Sequence, residues 1–170
     1  MGNTVRVPVR SPGATVTVDI ARPGDRAGFL ALAADVEHWF GPMVHVPAFH
    51  SVLDRTIADG RALCVRAGTG LAGGLLVSGT STRFHIDWLV VDTTARRGGT
   101  GRALLAEAFR RFVTPPAVVD VVTFGADHPA AIEGGARTFY ERLGFVPGER
   151  ARPGPEGGSR QHYRLTIPTE

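Results

Sequence analysis

The stretch whose residue types first suggest chemistry is Arg96-Arg97-Gly98-Gly99-Thr100-Gly101-Arg102. It follows an apolar run, Phe84 to Val91, and precedes a segment in which Leu104, Leu105, Ala108 and Phe112 recur at helical spacing. That pattern reads as strand, tight loop, helix. Glycines in such a loop let the backbone turn sharply and approach a ligand closely. The freed amides and the positive end of the helix dipole then face one point, which makes an anion site. Arginines beside it suggest that the anion is a phosphate or pyrophosphate. The loop is not GxxxxGK[ST], since the chain has no lysine, and it does not fit GxGxxG with an acidic residue on a second strand. In the strand before it, strict alternation puts Phe84, Ile86, Trp88 and Val90 on one face and His85, Asp87, Leu89 and Val91 on the other. His85, with an unperturbed pKa near 6.5, is suited to accepting a proton directly or through water. Asp87 is placed to orient His85 or to receive an ammonium group. The plainer alternative is that either side chain satisfies a backbone group near the sheet centre.

The elements that must position these residues follow from periodicity. Val16, Val18 and Ile20 alternate as a strand after a leader at 1–14 that contains Pro8, Pro12 and Gly13. Asp25 is a candidate N-cap for a helix whose apolar face is Phe29, Leu32, Ala33, Val36 and Phe40. Phe49, Val52, Leu53, Thr56 and Ile57 mark a second helix. Ala62–Arg66 and Leu71–Val77 flank a turn and read as a hairpin. Ala117–Phe124 is a buried strand, Ala136, Phe139, Tyr140 and Leu143 share a helix face, Val146–Ser159 reads as a long loop, and Gln161–Ile167 closes the chain as a strand. The expected class is therefore mixed α/β in the order β-α-α-β-β-β-α-β-α-β, with helices on both faces of the sheet, as a single domain over 15–170.

Composition excludes several functions. At 170 residues, 43% hydrophobic and 21% charged, the chain is an ordinary soluble domain. No apolar run approaches the roughly 20 residues of a membrane span, and the N-terminus lacks a signal-peptide core, so a cytoplasmic location is expected. All 19 basic residues are arginine, scattered rather than massed, and a net charge of +3 spread in this way does not predict a nucleic-acid partner. The one cysteine, Cys64, stands in an apolar run and reads as a small buried side chain. His45, His50 and Asp54 match no metal-binding spacing, and no metal is expected.

Two segments together carry a resemblance. Arg96, Gly99 and Gly101 fit the R/Q-x-x-G-x-G loop of the GNAT acyltransferase superfamily, and Ala136-Arg137-Thr138-Phe139-Tyr140-Glu141-Arg142-Leu143-Gly144-Phe145 is similar to its A-x-x-x/F-Y-E-x-L-G-F segment. The second stands about forty residues after the first, as it does in the family, and the resemblance spans roughly 15 to 167. It implies the GNAT fold, a mixed central sheet of six to seven strands flanked by about four helices. It further implies acetyl-CoA as cosubstrate, a primary amine on a small molecule or peptide as acceptor, direct attack in a ternary complex, and a monomer or homodimer.

Carried over residue by residue, the amides of Arg97, Gly98, Gly99, Thr100, Gly101 and Arg102 would bind the pyrophosphate, with charge from Arg96, Arg97 and Arg102. Leu89, Val90 and Val91 would pair with the pantetheine arm. Tyr140 would protonate the departing thiolate, and its periodicity equally suits a core aromatic. His85 or Asp87 would serve as base. Glu37 and Trp39, in the segment where the family sets selectivity, would hold a cationic amine, with His128 as a further contact; the alternative is a solvated helix face beside packing aromatics. The departures are Arg97 where glycine is commonest, Thr93 where proline is usual, and Glu133 at the position of a frequent CoA-contacting asparagine. A GNAT-like module that binds acyl-CoA as a sensor without transfer is the alternative from another class.

Overall fold

In chain order the elements are β1 (Asp19–Ile20), α1 (Arg26–Phe40), α2 (Pro47–Ala58), β2 (Ala62–Ala67), β3 (Gly70–Gly79), β4 (Arg83–Val91), α3 (Thr100–Phe112), β5 (Ala117–Phe124), α4 (Pro129–Glu133), α5 (Ala136–Arg142), β6 (Val146–Ala151) and β7 (Arg160–Ile167). The structure, a computed structural model, describes residues 15–170, so the expected leader lies outside the described residues. Each element expected from periodicity is present, and two are added. β6 replaces the first part of the expected loop; Pro147 and Gly148 disguise it, and Pro is tolerated because β6 is an edge strand with an irregular register between Pro147 and Arg150. α4 is a five-residue turn, too short to show a period. The first strand is shorter than expected, but Val16 and Val18 still pack against the core.

The seven strands form one sheet in the order β1-β2-β3-β4-β5-β7-β6, antiparallel except where β4 meets β5. Successive residues of the inner strands point to opposite faces, so the sheet carries two cores. Leu63, Leu75, Val77, Phe84, Val119 and Val121 pack with Leu104, Leu105 and Ala108 of α3 and Tyr140 of α5. Cys64 and Leu76 pack on the other face with Phe29, Leu32 and Val36 of α1 and Leu53 and Ile57 of α2. Asp25 does not cap α1 with its side chain. Its carboxylate accepts instead from Arg22 N and from Arg66 of β2, a stronger charge-assisted partner.

Two features of β4 position the site. Leu76 stands opposite Trp88 and Val77 opposite Ile86, so Asp87 is an extra residue, a β-bulge. The bulge reverses the parity of the strand. Phe84 and Ile86 belong to the core under α3, whereas Trp88 and Val90 belong to the core under α1 and α2. The expected single face for these four residues is thereby corrected. The second feature is a parting of strands. β4 pairs with β5 only from Arg83↔Val118 to Ile86↔Val121, while β3 follows β4 to Val91 and β7 follows β5 to Phe124.

Candidate active site

The glycine loop forms at the open end of this parting. Arg96 is extended, Arg97 takes φ +65°, and Gly99 takes φ +84° as the residue before α3. No side chain caps the helix, and its first turn closes with Ala103 N donating to Gly99 O at 2.9 Å. The amides of Thr100, Gly101 and Arg102 therefore lack an intrahelical acceptor and point out of the helix start. Glycine at 101 allows a close approach of a different kind: a Cβ there would stand 3.2 Å from the Phe139 ring of α5 and 3.6 Å from Val91. Thr100 is buried, with its methyl group against Gly73 of β3.

Below the loop, the edge of β4 is open. Asp92 N donates to Ala72 O, so the alternation of an antiparallel ladder turns the main-chain groups of Val91 and Leu89 away from β3, toward the side that β5 has left. The Arg96 side chain reaches this edge: its Nε donates to Val91 O at 3.3 Å, and its guanidinium lies 5.1 Å from the centre of the Trp39 ring. Arg96 thus ties the loop to the end of α1. Arg97 and Arg102 form no ion pair among the described residues.

His85 and Asp87 flank the point where the strands part. His85 is exposed, between Ser78 of β3 and Asp120 of β5, and has no hydrogen bond to Asp87. The Asp87 carboxylate accepts from Ser78 Oγ at 2.9 Å, and Asp120 is held by Arg164 at 2.7 Å. Asp87 keeps contact with solvent. Even so, loss of surrounding water is the largest influence on its carboxyl and raises its pKa, against the opposing pull of Ser78, His85 and Arg61.

Tyr140 lies on the other face. Its ring is 5% exposed and packs edge-on against Phe139 and Phe145. Burial raises its pKa. Its hydroxyl is nevertheless not sealed and partnerless; among the described residues only Trp88 Nε1 is a buried side-chain nitrogen or oxygen without a hydrogen bond.

Two cavities of about 550 Å³ lie near these groups. The first, above the end of β5, brings together two residues expected from sequence, Trp39 and His128, with His38, Asp127, Glu156 and Ser159. His128 is 6% exposed. Its Nδ1 accepts from Ala130 N and its Nε2 faces Glu156 Oε1 at 3.2 Å, so both ring nitrogens are engaged. Glu37 accepts from Met43 N at 2.9 Å and holds the turn after α1. His128 thus braces the cavity wall, Glu37 is not among the lining residues, and Glu133 is exposed at the end of α4. The second cavity lies between α2 and the sheet, lined by Arg55, Thr56, Asp59, Arg61, Ser78 and Asp87. Sequence reasoning named only Asp87 of this set as a site residue, and Thr56 only as part of a helix; Arg55, Thr56 and Asp59 follow helical spacing at the end of α2, but nothing local links them to Arg61, to Ser78 of β3 or to Asp87 of β4. Among the described residues no three His, Cys, Asp or Glu side chains gather as a metal group, and no helix is long and apolar enough to cross a membrane.

A sheet parted beside a glycine loop at a helix start, with the two sequence signatures on either side, defines an acetyltransferase fold. A family model described as the acetyltransferase (GNAT) domain matches residues 57–147, and the chain belongs to that family. Solved structures agree on the fold. Ard1 from Thermoplasma volcanium superposes with a TM-score of 0.67 at 18% identity, covering 89% of this chain and 97% of that one. Ribosomal-protein-alanine N-acetyltransferase from Brucella melitensis gives 0.65 at 19%, covering 89% and 100%. A chain of the NatC complex bound to Gag peptide and CoA gives 0.67 at 15%, covering 91% and 99%. No curated protein matches in sequence.

Proposed function

We propose that the protein transfers an acetyl group from acetyl-CoA to a primary amine by direct attack in a ternary complex. One observation carries the reading: the main-chain groups of Leu89 and Val91 face a gap between β4 and β5, directly below unpaired amides at the start of α3. An extended arm bearing amides can pair with such an edge as an added strand does, while its pyrophosphate meets the helix start. The NatC complex, one chain of which shares this fold, is bound to CoA, which supports CoA as the ligand.

The chemistry then divides among residues around the gap. His85 or Asp87 takes a proton from the incoming ammonium group, leaving a free amine to attack the thioester carbonyl. The Leu89 amide faces the gap and is placed to donate to the oxygen that becomes negative in the transition state. As the new C–N bond forms and the C–S bond breaks, Tyr140 gives its proton to the departing sulfur and recovers the one that the nitrogen sheds, so the products are an amide, free CoA thiol and the proton held by the base.

The test is a screen of primary amines with acetyl-CoA, read as thiol release, alongside CoA affinity. Thiol release that depends on one class of amine supports transfer. Tight CoA binding with no release for any amine supports the second reading, a sensor, which the enclosure of the Tyr140 ring favours.

A further inference from the structure

The cavity under α2 carries an electrostatic peculiarity. Arg55 and Arg61 line it together with Asp59 and Asp87, yet none of the four forms an ion pair among the described residues. Two positive and two negative groups thus share one cavity without direct ion pairs: Arg55, Asp59 and Asp87 are exposed, Arg61 is partly buried, and the Arg61 charge acts on Asp87 from a distance. Arg61 gives one N–H to Gly79 O and rests over the Phe112 ring, which fixes its direction and leaves further donors free. Asp87 gives one oxygen to Ser78 and keeps the other.

The cavity meets the point of transfer at Asp87, its one lining residue on β4. Ile86↔Val121 is the last pair between β4 and β5, so Asp87 is the first residue beyond the junction, and its lateral neighbour on β5, Val122, is 46% exposed. The open amide of Leu89 is two residues further along, roughly 7 Å of strand. An amine that has given its proton to Asp87 has this distance to cover to a thioester at that edge, since attack needs an approach of about 3–3.5 Å.

We infer that the acceptor is a zwitterion, an amine that carries a carboxylate, as a free amino acid does, bound in this cavity with its ammonium group at Asp87 and its carboxylate at Arg55 and Arg61. Such a ligand supplies both missing partners at once: a carboxylate matches the planar fork of a guanidinium, and an ammonium group matches the free carboxylate oxygen. A simple amine would leave the guanidiniums unmatched, and a diamine would face them with a like charge. The inference rests on the acetyltransfer reading and narrows its substrate.

The experiment compares glycine, β-alanine, γ-aminobutyrate and several α-amino acids, each beside its carboxamide, as acceptors with acetyl-CoA. The expected result is at least one acid that exceeds its carboxamide in kcat/KM by about 10- to 100-fold, the value of one charged hydrogen bond. Arg55→Gln, a change at the protein surface, should bring that ratio to within about twofold of one by the same reasoning. Carboxamides turned over as well as the acids in every pair would overturn the inference while leaving acetyltransfer standing. If no compound of this panel releases thiol while another primary amine does, the inference fails and acetyltransfer stands; if no primary amine releases thiol, acetyltransfer itself fails. Calorimetry of the same pairs with CoA present then decides the inference, and acids that bind no more tightly than their carboxamides refute it.

Discussion

Replacing Tyr140 by phenylalanine deletes one hydroxyl and keeps a ring that is packed on at least two sides. If the hydroxyl protonates the thiolate, turnover falls about 10²- to 10⁴-fold while CoA affinity stays near wild type. Equal thiol-release rates would make Tyr140 a packing residue alone. The base is assigned by pH. With kcat/KM plotted against pH, the acidic limb disappears in Asp87→Asn and survives in His85→Gln if Asp87 is the base, and the reverse holds for His85. A base must be deprotonated, so activity falls as pH drops through its pKa; the raised carboxyl of Asp87 puts that fall above the ordinary aspartate range. The two loop glycines separate as well. Gly99 has open space but φ +84°, so Gly99→Ala carries backbone strain of about 1–2 kcal/mol. Gly101→Ala instead meets the Phe139 ring. Phe139→Leu should therefore rescue the stability of Gly101→Ala but not of Gly99→Ala, as thermal unfolding of the double variants would show.

At the level of elements, α3 offers a pH test. Arg110 and Arg111 hold the Glu107 carboxyl well below its usual range, at about 2, chiefly through the hydrogen bond from Arg110. Because the folded value is depressed, this stabilisation is full above the ordinary glutamate value of about 4.3 and is lost as pH falls toward 2. Glu107→Gln should lower the Tm at pH 7, and the gap to wild type should close on acidification. A gap that does not change with pH would show that packing, not charge, is responsible. The elements were largely legible in sequence because burial imposes its period on them. The turn of β4 at Asp87 was not: Phe84, Ile86, Trp88 and Val90 alternate without a break, and a bulge changes which face they reach without changing which residues are apolar. Trp88 shows the result, its ring against Phe29 and Phe49 and its Nε1 without a partner. Trp88→Phe removes an unsatisfied donor worth about 1–3 kcal/mol and should cost far less stability than the 3–5 kcal/mol typical of truncating a core aromatic. A loss in that larger range by denaturant titration would show that the indole packing outweighs the orphaned donor.

Across the whole molecule, the segment between β6 and β7 is bound to α1 through one buried residue. Arg160, 8% exposed, pairs with Glu156 at 2.6 Å, covers the Phe124 ring at 4.7 Å and donates to Trp39 O at 3.5 Å. The loop and the signature around Tyr140 were legible because both are local. The cavity walls were not, since Arg55, Arg61, Ser78 and Asp87 meet only after the sheet has formed. The parting of β4 from β5 has a consequence for the protein's own cohesion. Its two half-sheets are joined by four residue pairs, Arg83 to Ile86 with Val118 to Val121, so this seam has few rungs to hold it closed. CoA lying in the gap would lace the seam with the rungs it lacks. Amide hydrogen exchange at Leu89 and Val91 should then slow sharply on adding CoA, while exchange in β7, whose ladder with β5 is already complete, should not change. At 100-fold excess over its dissociation constant, the ligand should add about 2.7 kcal/mol of stability, and it should do so by closing a seam rather than by filling a hole.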